Sequence, residues 1–409
     1  MADKEDSSSA WTNRSFQIYI GGSIVSLHGL WIYRVALGWY AWELTQSEFW
    51  VGVVTFTQFA PVVLFGPLFG VLADRFDRQA ASVFINSLSV MNNLLLALLT
   101  ALGNMDIYVL SLFALMQGTL DGAHMPVRLA LVPNIVSKAQ LQSAIATNSI
   151  AFNVSRFIGP AIAGFVIAWK GVAAAFALNA VSYVALLIAV LSIELRPSEQ
   201  GAHQRSNVWQ EMKDGFSYVL QHKAIRALLA ITAVSACFGR GPLEMLPAFA
   251  DAVFQRGASG LATLTAAVGA GAIVGGVMLA RGPTWLRIRI VGVLLVIGGL
   301  LNMLLAEVTA FAAGIAVVTL LGFVLSLVGV GSQILLQSTV ADQIRGRVSG
   351  IWGIMAFGGT AFGGLGVGIA ASIWGLGQAV LVTGFLCALF AALAGVRLRS
   401  FREAAADQE

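Results

Sequence analysis

Charged residues are scarce in this chain: they make up 11% of its 409 residues, whereas 58% are hydrophobic. A soluble protein carries about a quarter charged residues, so the composition excludes an ordinary soluble domain. The two cysteines, Cys237 and Cys387, both lie in apolar segments, which argues against a disulfide framework or a metal site. The nucleotide-binding pattern G-x-x-x-x-G-K-[ST] is missing as well, which argues against ATP as a driving force. We therefore expect neither an enzyme nor a cofactor.

Long apolar runs fill most of the sequence instead. Each is long enough to cross a hydrocarbon core of about 30 Å, and we count twelve, at about 16–44, 49–70, 80–103, 107–131, 143–169, 172–193, 224–250, 259–280, 288–306, 309–335, 347–373 and 376–396. The sequence thus predicts an all-α membrane protein with twelve transmembrane helices.

The longest polar interruption, residues 195–223, divides these spans six and six. Within it, WQEMKDGFSYVL has apolar residues at helical spacing, which predicts a helix on the membrane surface. The predicted organisation is a tail at 1–15, a first half at 16–194, a linker at 195–223, a second half at 224–396 and a tail at 397–409.

The basic residues orient the chain. With the N-terminus inside, 19 of the 24 lysines and arginines fall on the inner side, as the positive-inside rule requires. We therefore expect both termini in the cytoplasm. The basic balance follows from this topology and gives no indication of a nucleic-acid partner.

The two halves share a glycine pattern. Gly159, Gly164 and Gly171 match Gly363, Gly368 and Gly375 at one constant offset. These two sets occupy the fifth span of each half, so we interpret them as traces of an internal repeat. Two six-helix halves related by a repeat are typical of the major facilitator fold.

A tight charge cluster, GVLADRFDRQ, connects the second and third spans. It resembles the loop signature G-x-L-a-D-R-x-G-R-[KR] of major facilitator transporters, and the matching residues are Gly70, Leu72, Asp74, Arg75 and Arg78. Asp77 replaces the second glycine of the signature, and the sequence suggests no role for it. Three further stretches, WIYRVALGWYAWELTQS, MPVRLALVPNIVSKAQLQSAIATNSIAFNVSRFIGPAIAG and LLQSTVADQIRGRVSGIWG, resemble the branch of macrolide-efflux proteins and enterobactin exporters.

This resemblance implies a cytoplasmic gate. It implies that Asp74 lies beside the inner start of span eleven and pairs with Arg128, while Arg345 and Arg347 form the equivalent contact of the second half. The expected gate residues are Gly70, Asp74, Arg75, Arg78, Arg128, Arg345 and Arg347. One position departs from many proton-coupled relatives: where they carry an arginine three residues before a Gln-Gly pair, this chain has Ala114.

Charged residues inside the spans are candidates for substrate binding and coupling, because a charge at mid-membrane costs at least about 2.5 kcal/mol. Asp121 could pair with Arg34 or Arg156, and the three together carry a net formal charge of +1, which suits an anionic or catecholate-like group. His124, one helical turn from Asp121, could relay protons. The alternative for the charged set is a structural ion pair that fixes helix register.

Two further sets complete the candidate site. Arg240 and Glu244 are four residues apart in span seven, so they can pair on one helical face, beside glycines that weaken the helix. Trp31 is deep enough to contact an aromatic substrate. Trp42 is expected in an interfacial aromatic belt, and Asp251 is expected to be solvated at the outer surface.

These observations together predict a secondary transporter that works by alternating access. The resemblance implies that the substrate is a siderophore or an amphipathic drug, exported across a bacterial inner membrane in exchange for protons by a monomer in the lipid bilayer. The alternative is an importer of a siderophore or a lysolipid on the same fold.

Overall fold

A computed structural model describes residues 9–73, 76–195, 208–282, 285–341 and 344–406, and these residues contain no β-strand. They form thirteen main helices, which are α1 (Arg14–Thr45), α2 (Glu48–Ala73), α3 (Arg78–Ala101), α4 (Ile107–Ile135), α5 (Lys138–Lys170), α6 (Val172–Leu191), α7 (Val208–Gln221), α8 (Lys223–Val253), α9 (Gly257–Ala280), α10 (Ile288–Glu307), α11 (Phe311–Thr339), α12 (Arg345–Trp374) and α13 (Leu376–Ala406).

Eleven of these helices are long and apolar enough to cross a membrane. The predicted fourth span, α4, has 29 residues and is long enough, at about 1.5 Å per residue. Its sequence is less apolar because it contains Gln117, Asp121, His124 and Arg128. Counting α4 with these eleven gives the predicted twelve spans, and α7 is the additional helix between α6 and α8. We call the membrane side of α7 the inner side.

The helices group into two compact units. The first contains residues Met1–Tyr40 and Pro61–Ser206, and the second contains Ala41–Ala60 and Asn207–Glu409. The outer tip of the first hairpin, Ala41–Ala60, therefore packs with the second unit, although the remainder of α1 and α2 packs with the first. We refer to Ala41–Ala60 as the hairpin tip.

The glycine pattern of the repeat has matching backbone features. Gly171 has φ +79° and separates α5 from α6, while Gly375 has φ +85° and separates α12 from α13. Side chains rarely adopt this conformation, so each half needs glycine at this break. In addition, Gly159 lies against Trp31 of α1 and Gly363 lies against the backbone of Cys237 in α8. Equivalent glycines thus permit close helix packing in each unit.

The seventh span, α8, is irregular. It starts as a regular helix over Lys223–Val234 and then contains π-helical turns at Ser235–Gly239 and Phe249–Val253, with a 3-10 turn at Gly241–Met245 between them. Such turns leave backbone carbonyls without their regular helical donors. Asn302 of α10, which is fully buried, donates its side-chain amide to the carbonyl of Gly239 at 3.0 Å.

Candidate functional site

A buried ion pair joins α1 and α4 inside the first unit. The Nη2 atom of Arg34 is 3.6 Å from Oδ2 of Asp121, and both side chains are 9% exposed. Asp121 is the middle residue of α4, which spans Ile107–Ile135. The pair therefore lies near the middle of this span, and an unpaired charge is most costly at mid-membrane.

A directed set of hydrogen bonds ends at this carboxylate. Asn179 donates to Asn93 at 2.8 Å, Asn93 donates to Gln117 at 2.9 Å, and Gln117 donates to Oδ1 of Asp121 at 3.0 Å. Tyr183 also donates to Oδ1, at 3.2 Å. Each amide accepts through its oxygen and donates through its nitrogen, so the donors point toward Asp121. This arrangement favours the ionised carboxylate.

The second oxygen of Asp121 differs from the first. Among the described residues, no hydrogen-bond donor contacts Oδ2, although the oxygen is buried. A carboxylate oxygen can accept more than one hydrogen bond. Oδ2 thus retains capacity to bind a proton or a hydroxyl group beside Arg34.

The sequence analysis missed most of this network. Asn93 and Asn179 are fully buried, and Tyr183 is 2% exposed. An adjacent Asn-Asn pair in α3 and a four-residue spacing between Asn179 and Tyr183 in α6 were visible signals, because polar side chains inside spans usually bond between helices. Their common target, however, depends on packing between α3, α4 and α6.

The other predicted cavity residues have different contacts. The Arg34 guanidinium is 4.6 Å from the centre of the Trp31 ring, an arrangement typical of a cation–π contact. Arg156 lies 5.7 Å from the Phe157 ring. The His124 ring is 6.4 Å from that of Tyr183 in an edge-on geometry. Trp31, Arg34 and His124 are thus grouped with Asp121, while the contacts described for Arg156 are aromatic.

The predicted pair in the seventh span has an unexpected backbone. Arg240 lies between a π-helical turn and the 3-10 turn that contains Glu244. Regular α-helical spacing, on which their pairing was predicted, therefore does not apply at this point. Their part in the candidate substrate site stays a prediction.

The expected cytoplasmic gate is described in part. Asp74 and Arg75, together with the surroundings of Gly70, lie outside the described residues. Arg78 donates to Asn134 at 2.9 Å, and Arg128 donates to Asn148 at 3.0 Å. The role of these residues in a cytoplasmic gate stays a prediction.

The inner start of α12 has its own contacts. Arg345 donates to the carbonyl of Val340 at 3.4 Å. Arg347 lies 3.5 Å from Asp214 of α7. Arg347 of the predicted gate is therefore connected to the linker helix α7 within the second unit.

Asp77, which had no role in the sequence analysis, caps α3. Its side chain accepts a hydrogen bond from the backbone nitrogen of Ala80 at 2.7 Å, and α3 begins at the next residue, Arg78. Aspartate is among the preferred residues at this position. An Asp directly before a helix was the signal that could have identified it.

Asp77→Ala is expected to destabilise the protein by about 1 kcal/mol, because the first turn of α3 loses a side-chain acceptor. The measurement is the thermal unfolding midpoint of the purified protein in detergent. Asp77→Asn is the matched control and should stay close to the wild type. Equal losses for both variants would contradict the capping role.

The hairpin tip is held by a polar contact in the second unit. Nε1 of Trp42 donates to Oδ2 of Asp251 at 2.9 Å, and Trp42 is 3% exposed. The prediction of an interfacial position for Trp42 is therefore wrong, because its indole finds a carboxylate acceptor inside the protein. Asp251 likewise has a protein partner and is not merely solvated.

The tip also makes a close backbone crossing with α12. A Cβ atom placed on Gly52 would lie 2.8 Å from the carbonyl oxygen of Gly364 and 3.2 Å from Cα of Gly368. Aromatic pairs flank the crossing, since Phe56 lies 5.4 Å from Phe362 between ring centres. The absence of a side chain at Gly52 thus permits this contact.

Comparisons with known proteins agree on one family. The family model described as "Transmembrane secretion effector" matches residues 7–409. The staphyloferrin A transporter of Staphylococcus aureus is 23% identical over 383 residues, which cover 90% of this chain and 92% of that protein. The enterobactin exporter EntS of Escherichia coli is 25% identical over 403 residues, which cover 96% of this chain and 94% of that protein.

Solved structures share the fold. A bacterial homologue of the human lysosomal transporter Spinster, in an inward-facing and unoccupied conformation, has a TM-score of 0.74 at 15% identity and covers 95% of this chain and 98% of its own. The nucleoside transporter NupG has a TM-score of 0.72 at 15% identity, with 93% and 98% covered. At these identities the likeness concerns the fold.

Proposed function

Because the chain belongs to the transmembrane secretion effector family of major facilitator transporters, we propose that it exports a siderophore-type small molecule in exchange for protons. The observation that carries the proposal is the buried Arg34–Asp121 pair at the middle of α4. The two relatives named for staphyloferrin A and enterobactin support the substrate class. The proposed location is a bacterial inner membrane.

The chemistry around the pair suits a polyhydroxylated, acidic ligand. Arg34 offers a cation for acidic groups, and the Trp31 face offers a stacking surface for an aromatic ring. Oδ2 of Asp121 offers an acceptor for a ligand hydroxyl. Arg34, Arg156 and Asp121 together carry a net formal charge of +1, which favours an anionic ligand.

Exchange requires that the substrate and the proton exclude one another. Oδ2 of Asp121 provides this competition, because a protonated carboxyl no longer accepts the ligand hydroxyl in the same way. Arg34 of α1 supplies a cation beside Asp121, whereas many proton-coupled relatives have an arginine at the position where this chain has Ala114. We therefore propose that coupling runs through α1 and α4 together.

The test is uptake into inside-out membrane vesicles with an imposed proton gradient. Iron-free enterobactin, iron-free staphyloferrin A and a macrolide are offered in parallel, and a protonophore is added as a control. Gradient-dependent uptake of a siderophore is expected. Uptake confined to right-side-out vesicles would contradict export and favour the importer, and uptake of the macrolide alone would contradict the siderophore class.

Competition is tested by binding at several pH values with the purified protein. Affinity for the transported siderophore is expected to fall as the pH falls, because protons occupy Asp121. Protonation of the siderophore itself also changes with pH. The pH dependence of its affinity for Asp121→Asn measures that effect alone, because the same ligand is used and the carboxylate is absent. If the variant retains the full pH dependence of the wild type, Asp121 is not the site of competition.

A further inference from the structure

The linker helix α7 directly precedes a spanning helix, so its end lies close to one end of that span. It ends at Gln221, and the spanning helix α8 begins at Lys223 after an extended residue, His222. A helix of 14 residues that ends this close to a span cannot move far from the interface. The end of α7 at Gln221 is therefore held near the membrane interface.

One face of α7 is docked on the second unit. Val219 is 5% exposed and lies in a cluster that includes Ile225 and Val348. A Cβ atom placed on Gly215 would be 3.2 Å from Cβ of Arg347, whose guanidinium also pairs with Asp214. This face joins α7 to the inner ends of α8 and α12.

The other face of α7 combines exposed apolar and basic side chains. Phe216 is 55% exposed and Leu220 is 51% exposed, and they are neighbours on the helix because they lie four residues apart. Lys213 lies one turn before Phe216, and Lys223 follows the helix end; both are exposed. α7 contains two acidic residues, Glu211 and Asp214, and Asp214 pairs with Arg347.

We infer that this face binds the anionic phospholipids of the inner leaflet. Helices that lie in the interface bury apolar side chains at the headgroup boundary and place basic side chains among the headgroups. Each lysine near such a surface strengthens attraction roughly fivefold. Phe216 and Leu220 supply the apolar contact, and Lys213 and Lys223 supply the charge.

Charge complementarity favours lipid over a second copy of the chain. Two such faces placed against each other in a symmetric dimer would bring their lysines together, and like charges at a contact are unfavourable. An anionic leaflet has the opposite charge and is already adjacent to α7. The proposal does not depend on the transported substrate.

The test uses a probe at Ser217, an exposed neighbour of the apolar pair. Ser217→Cys is made in a Cys237→Ser/Cys387→Ser background, labelled with NBD, and the full chain is reconstituted in phosphatidylcholine nanodiscs. Nitroxide-labelled phosphatidylglycerol or nitroxide-labelled phosphatidylcholine is then added at equal mole fraction. Quenching reports which lipid contacts α7, without any need for substrate.

Phosphatidylglycerol is expected to quench several-fold more effectively than phosphatidylcholine. Lys213→Gln/Lys223→Gln should bring the ratio near one, whereas Lys170→Gln, which removes an exposed lysine before the break at Gly171, should leave it unchanged. Phe216→Ser/Leu220→Ser should weaken quenching by both lipids. The proposal would be overturned by equal quenching from the two lipids in the wild type, or by a quenching ratio that stays high after both lysines are replaced. Fluorescence that changes only with the density of the protein would also overturn it and would indicate self-association.

Discussion

Asp121→Asn is expected to abolish proton-driven accumulation of substrate and to lower the free energy of unfolding by about 3–5 kcal/mol. The substitution removes the carboxylate charge 3.6 Å from Arg34. It also replaces one acceptor oxygen by an NH₂ group at the end of a set of donors from Gln117 and Tyr183. The measurements are gradient-dependent vesicle uptake and unfolding midpoints in detergent.

A control on the same helix separates this effect from the chemistry of the substitution. Asp106 caps the outer end of α4, where its side chain accepts from the backbone nitrogens of Tyr108 and Val109. Asparagine caps helices about as well as aspartate, so Asp106→Asn should retain both transport and stability. A comparable loss in both variants would point to a general disturbance of α4.

A double variant separates stability from coupling. Arg34→Met/Asp121→Leu replaces the buried pair by apolar side chains, which often restores or increases stability. We expect it to recover part of the unfolding midpoint, because Gln117 and Tyr183 still lose their acceptor, and to remain inactive in transport. A stable, fully active double variant would contradict the coupling role and support the structural ion pair that the sequence analysis left open.

The second large effect is expected at the hairpin tip. Gly52→Leu should stop the transport cycle, because its side chain would occupy the space now held by the backbone of Gly364 and Gly368. Backbone atoms cannot move aside without moving the helix, so the tip and α12 must separate. We expect the transport cycle to form and break this contact, and the variant should fail to form it.

Outer-side labelling provides the measurement. Thr55, one turn from Gly52, is 6% exposed and should be protected in purified protein. Thr55→Cys, in the background without native cysteines, is expected to react with a membrane-impermeant maleimide much faster when Gly52→Leu is present. Gly66→Leu is the matched control, because a Cβ atom on Gly66 of the same helix meets nothing within 4 Å. Unchanged labelling in Gly52→Leu would contradict the proposed role of the close contact between the hairpin tip and α12.

Several parts of the site could be predicted from single residues. Arg34 and Asp121 are identifiable because ionisable residues inside apolar spans are rare and costly. The glycines at 171 and 375 are identifiable because they recur at one offset and occupy helix breaks. The partner of Asp121 was narrowed to Arg34 or Arg156, and the choice between them needed the packing of α1 against α4.

Other parts could not be predicted because they arise between distant segments. Trp42 and Asp251 are separated by 209 residues and form a hydrogen bond, whereas each residue alone has the composition of an interfacial or solvated position. The sequence shows Gln117 only as half of a Gln-Gly pair. Its bonds to Asn93 and Asp121 depend on the packing of α3, α4 and α6. Asp77 was a local signal that the comparison with a loop signature obscured.

The sequence by itself determined the membrane class and the family, because apolar length, charge distribution and local motifs are properties of the chain. Tertiary structure decided which polar groups satisfy one another. In an apolar medium each buried donor or acceptor must find a partner, and that partner is chosen by helix packing, which brings residues from separate spans together. The Arg34–Asp121 pair, with its set of donors from α3, α4 and α6, is the result of that selection.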